Sequence, residues 1–117
     1  MKLLTGLPLA LLAGRTLAEC GRGLINGSDD YRNVKSGPAC VLKSHNVYFC
    51  GSSGTSVVHK QSRIMLRAGT SDSTVQVECV GGYSFLLNCD ANTGAVFTEP
   101  ACKNGITAVY SVIEPKT

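Results

Sequence analysis

Three observations predict a small α+β domain, an antiparallel sheet with one helix, stapled by disulfides. Six cysteines are spread over only 117 residues. Residues 55–68 place apolar side chains at helical spacing, and the segments after Gly69 alternate apolar with polar residues, the period of a half-buried strand. An all-β sandwich is the alternative, because Ile64-Met65-Leu66 also reads as a strand turning at Gly69-Thr70-Ser71-Asp72.

The chain opens with Lys2 and an apolar run of 11 residues, 3–13. Such a run is shorter than the roughly 20 residues a membrane-spanning helix needs. It has the make-up of a secretory signal, and Thr16-Leu17-Ala18 supplies small residues for cleavage after Ala18. Residues 1–18 are therefore expected to be a signal peptide, and residues 19–117 one disulfide-rich secreted domain with no membrane anchor. Cleavage removes Lys2 and Arg15 and leaves nine basic against eight acidic side chains, a net charge of +1. The cations are dispersed except for Lys60, Arg63 and Arg67, so a nucleic-acid partner is not expected.

Residues 20–39 are rich in Gly, Ser, Asp and Asn and read as loop and turns, with a helical turn after Ser28. Asn26-Gly27-Ser28 is an N-glycosylation sequon, which places that loop at the surface. Val41 to Cys50 reads as one strand, ending in the β-branched and aromatic Val47-Tyr48-Phe49 and broken at Gly51-Ser52-Ser53-Gly54. In the expected helix, Val57, Val58, Gln61, Ile64, Met65 and Ala68 share a face. Thr55 or Ser56 caps its start, Arg63 and Arg67 suit the negative end of its dipole, and Gly69 stops it. A strand over 74–80 turns at Gly81-Gly82 into a second one, with Tyr83, Phe85 and Leu87 on one face. Asp90 to Gly94 is a turn and Ala95-Val96-Phe97 a third strand. Asn104-Gly105 signals a two-residue hairpin leading into the last strand, 106–113, which Pro115 ends.

Cys20, Cys40, Cys50, Cys79, Cys89 and Cys102 are even in number, and nine residues separate the closest of them. No close pair of the kind that grips a metal ion or runs thiol redox chemistry is present, so disulfides are expected and no metal or other cofactor. Six cysteines admit 15 pairings. Cys20, next to the expected new terminus, is expected to pair with a distant partner, Cys102 first. The shared spacing in Cys40-Val41-x8-Cys50 and Cys79-Val80-x8-Cys89 hints at an internal repeat, in which Val57-Val58 aligns with Val96-Phe97.

Catalytic chemistry has little to stand on. A phosphate-cleaving site needs an acid, a base and a cation around one phosphate. Glu78, Arg67 and His59 are the weak candidates of the right types, with no motif to join them. His45, between Ser44 and Asn46, reads as a turn residue, and His59 as a solvated one. The carboxylates Asp29, Asp30, Asp72, Glu78, Asp90, Glu99 and Glu114 fall mostly in turns. There is no tryptophan on which to stack a sugar. Residues 90–101, with Thr98-Glu99-Pro100, offer a loop between cysteines of the kind a protease inhibitor presents.

The signal-like residues 1–18, the short mature chain and its six cysteines resemble the small secreted cysteine-rich proteins of fungi. The helix-and-strand outline is similar to the killer-toxin-like α/β sandwich group among them. That resemblance implies an extracellular effector or toxin-like protein, monomeric, that binds a protein or cell-surface target of a host or competitor without catalysis. A secreted ribonuclease-like hydrolase and a secreted protease inhibitor are the alternatives. The resemblance carries no site residues over to this chain.

Overall fold

A computed structural model describes residues 19–22 and 35–113. Ten strands and one 3-10 turn make up its regular structure: β1 (Cys20–Arg22), β2 (Lys35–Ala39), β3 (Val41–Ser44), β4 (Val47–Cys50), β5 (Thr55–Lys60), β6 (Arg63–Arg67), β7 (Ser73–Cys79), β8 (Ser84–Cys89), β9 (Gly94–Thr98), the turn Pro100–Cys102, and β10 (Ile106–Ile113). They form two five-stranded antiparallel sheets, β1-β8-β7-β10-β2 and β3-β4-β5-β6-β9. The sandwich alternative holds, and the α+β expectation with its helix does not.

The reason lies in residues 55–68. Thr55, Val57 and His59 of β5 point inward, as do Ile64 and Leu66 of β6 and Ala68 beyond it. Gln61, at φ 56, begins a two-residue turn that pairs Lys60 with Arg63. Inward positions on two strands joined this way fall at Val57, Ile64 and Ala68, spacings of seven and four residues that mimic a helix. The β-branched residues settle the outcome, since they pack well on a pleated surface and lose rotamer freedom in a helix.

The core lies between the sheets. Val57, Ile64 and Leu66 from the second sheet meet Val75, Val77, Phe85, Leu87 and Val109 from the first. Along β7 the alternation expected from sequence is present, with Val75, Val77 and Cys79 buried. Gly81 and Gly82, at φ 105 and 93, make the β7–β8 turn as expected. Other expectations need correction. Residues 20–22 and 35–39 are edge strands of the first sheet, not loop. Residues 41–50 are a hairpin turning at His45-Asn46, with Asn46 at φ 65. Asn104-Gly105 does not join paired strands: β9 and β10 lie in different sheets, so it ends a crossover. The suggested repeat does not recur in three dimensions, because β5 pairs with β4 whereas β9 pairs with β6. The signal segment, the sequon at Asn26 and the turn at Ser28 lie outside the described residues.

All six cysteines are bridged: Cys20–Cys89, Cys40–Cys50 and Cys79–Cys102. Cys20 does take a distant partner, but Cys89 replaces the expected Cys102, because β1 pairs with β8 and sets Cys20 directly opposite Cys89. Cys102 instead joins the crossover turn to the end of β7. Among the described residues no helix is long and apolar enough to cross a membrane.

Gly69, expected to stop a helix, serves a close approach of backbone. A Cβ there would lie 1.8 Å from the Ser53 carbonyl oxygen. Gly69→Ala is expected to lower stability by about 3 kcal/mol, because backbone must move to admit the methyl group. The bridges should rank by the loop each closes: 69 residues of separation for Cys20–Cys89 against 10 for Cys40–Cys50. Serine replacement of both cysteines should cost about 4 kcal/mol for the first pair and about 3 for the second by loop entropy. Denaturant midpoints of the two double variants test the order, and a reversed order would remove the entropic account.

Candidate functional site

Strand register assembles the main candidate surface on the outer face of the second sheet. The outward residues of β4, β5, β6 and β9 line up as Val47–Val58–Met65–Val96, a row of four apolar side chains across four strands. Met65 is 42% and Val96 59% exposed, while Val47 and Val58 are half-buried. The next row is Val41–Phe49–Ser56–Arg67–Gly94, in which Val41 and Phe49 are exposed as well. On the other side lies Lys60–Arg63–Thr98. Outward residues two apart on a strand are about 7 Å apart. The apolar row is thus bordered by Lys60 and Arg63 on one side and by Arg67 on the other.

The local charge balance is one-sided. The five strands of this sheet contain Lys43, Lys60, Arg63 and Arg67 but no Asp or Glu. Lys60 and Arg63 are direct cross-strand partners. Like charges in that relation destabilise a sheet. None of Lys60, Arg63 and Arg67 has an ion-pair partner among the described residues.

The sandwich has a different chemistry at one end. A cavity of about 160 Å³ there is lined by Ser53, Thr55, Asp72, Ser73 and Ser111, among others. Thr55 is buried, its hydroxyl bonded to Ser53 and Ser73, and accepts a hydrogen bond from the Gly69 N–H at 3.2 Å. Asp72 Oδ1 accepts one from the Ala91 N–H at 2.8 Å. These groups use their bonding capacity to join the loops around them.

A second polar group clasps the sheets together. Arg22 on β1 donates from Nε to Glu99 Oε2 at 2.6 Å and from Nη2 to the Tyr83 hydroxyl, and its guanidinium lies 5.2 Å from the centre of the Phe85 ring. Glu99 is buried, and its hydrogen bond holds the Arg22 pKa above its already high ordinary value. Burial raises the phenol of Tyr48, which packs on the core, above its usual value.

The residues singled out for phosphate chemistry do not meet. His59 is buried rather than solvated and donates from Nε2 to the Cys102 carbonyl oxygen at 2.9 Å. Arg67 is on the outer face of the second sheet, and Glu78 alternates with the buried Val77 and Cys79 and so faces away from the core of the first. Glu99 of the loop considered for protease inhibition is turned inward to Arg22. His45 is an exposed turn residue, as expected. Among the described residues no three His, Cys, Asp or Glu side chains are grouped to hold a metal ion.

The sequence pointed to Lys60, Arg63 and Arg67 as a cluster, and the structure assembles them on one face. It did not point to Val58 and Met65 as surface residues, because the helix reading buried both. The alternation in Arg63-Ile64-Met65-Leu66-Arg67 was the available signal. No protein family, curated protein or solved structure matches the chain.

Glu99→Ala removes a charge-assisted hydrogen bond but leaves Arg22 open to water, so a loss of about 1–2 kcal/mol is expected. Glu99→Gln, which keeps an acceptor, should lose less. Thermal denaturation of the two variants checks the order.

Proposed function

We propose that this chain is a secreted effector or toxin-like protein that acts by binding a protein or cell-surface target of a host or competitor, with no catalysis of its own. The observation that carries the reading is the outward apolar row Val47–Val58–Met65–Val96, with Met65 and Val96 exposed, continued by the exposed Phe49 and Val41. A contiguous apolar patch on a small domain has a cost in solubility and is a mark of an interaction site. Six bridged cysteines support the extracellular setting, since disulfides persist in oxidising compartments. A face built from hydrogen-bonded strands is already ordered before binding, which keeps the ordering cost low.

The reading is tested with the oxidised chain, labelled and offered to living host and competitor cells. Saturable binding is expected, weakened about a hundredfold in a Met65→Asp/Val96→Asp variant that melts at the wild-type temperature. A Glu78→Lys variant on the opposite sheet should bind normally. Binding untouched by Met65→Asp/Val96→Asp, or turnover of RNA by the wild-type chain, contradicts the proposal.

A further inference from the structure

We propose that the outer face of the second sheet docks a partner protein whose contact surface is an apolar strip edged by Asp or Glu. This rests on the binding role proposed above and adds the chemistry of the partner.

The argument is charge complementarity around a fixed geometry. Lys60 and Arg63 border one side of the apolar row and Arg67 the other. No carboxylate occurs in any strand of that sheet. The row crosses four strands, about 14 Å at the usual strand spacing. A partner that fits it presents apolar side chains along that length, with acidic groups about 7 Å to either side. Lys60 opposite Arg63 is a repulsive pair that no ion pair among the described residues offsets. Carboxylates from outside would turn this local cost into attraction, the pattern expected where a binding site departs from what stability alone would select.

Three other occupants fit less well. A second copy docked face to face would bring Lys60, Arg63 and Arg67 against their own equivalents. A nucleic acid favours a continuous cationic track with aromatic platforms, whereas the centre of this face is aliphatic. A lipid surface favours Trp and Tyr at its interface, and the outward positions of this sheet hold neither. Met, Arg and Phe, all present here, are enriched in protein interfaces.

The probe is a random-peptide library displayed on phage and selected against the immobilised, oxidised chain. Enriched peptides are expected to alternate apolar residues with Asp or Glu. Their affinity should fall as salt rises and drop at least about tenfold in an Arg63→Glu/Arg67→Glu variant. Both side chains are exposed, and the change at Arg63 sets a carboxylate opposite Lys60, so this variant should melt no lower than wild type. Enrichment of neutral or basic peptides whose capture is lost with Met65→Asp would overturn the acidic partner and leave the binding face standing. Peptides indifferent to Met65→Asp, or no enrichment, would remove both. Co-sedimentation with phosphatidylcholine–phosphatidylglycerol vesicles, abolished by Arg63→Glu/Arg67→Glu, would assign the face to lipid and overturn a protein partner.

Discussion

Packing two sheets face to face across one thin core sets the terms for the rest of this molecule. The central strands β5, β6 and β7 give every second side chain to the interior, and Val57, Ile64, Leu66, Val75, Val77, Phe85, Leu87 and Val109 are prominent in the apolar core. The chain passes from one sheet to the other after β2, β6, β8 and β9, and at each passage backbone leaves the hydrogen-bonded ladder. The fixings gather at these places. Cys40 follows β2 and is bridged to Cys50. Gly69 follows β6, with the neighbouring Thr70 N–H bonded to the Ser53 carbonyl at 2.9 Å. Cys89 ends β8 and is bridged to Cys20. After β9, Glu99 takes Arg22, and Cys102 takes both Cys79 and the His59 ring. The covalent links and the buried polar contacts therefore solve one problem, the holding of crossovers in a domain too small to bury them deeply.

What could be read in advance follows from how local each feature is. The β7–β8 hairpin was legible because Gly81-Gly82 and the alternation on either side are both short-range signals. The β5–β6 hairpin was not, because Gln61-Ser62 is not a recognisable turn pair and the inward positions fall at helix-like intervals. Asn104-Gly105 carried a true turn signal, with Gly105 at φ 123, but a turn signal does not say which sheet the next strand joins. Disulfide pairing was illegible for a related reason. Cys20 meets Cys89 only because β1 is placed beside β8, a long-range choice made by the sandwich as a whole. The candidate face was half legible: its cations are close in sequence, but its apolar row draws on four strands and appears only once register is known.

The two polar centres of the molecule differ in what they do with charge. Glu99 is buried and would be costly if left unpaired, and Arg22 reaches it from the other sheet. Lys60, Arg63 and Arg67 stand in water, where lone cations cost little individually, yet Lys60 and Arg63 face each other directly. A sequence under selection for stability alone would place an acid or a threonine at one of these positions. The strands show no such correction anywhere in the second sheet.

The resulting separation of charge matters more than the net value. Among the described residues the acids are Glu19, Asp72, Glu78, Asp90 and Glu99, all outside the strands of the second sheet, and Glu99 is taken up by Arg22. Among the described residues the second sheet thus carries a cationic outer face, and the acids lie elsewhere. In the proposed encounter such an arrangement experiences a torque in the field of an acidic partner, which turns the apolar row toward the negative surface before contact and raises the rate of productive encounter. In the proposed complex the cations govern how the face arrives, and Val58, Met65 and Val96, once dehydrated, govern how long it stays.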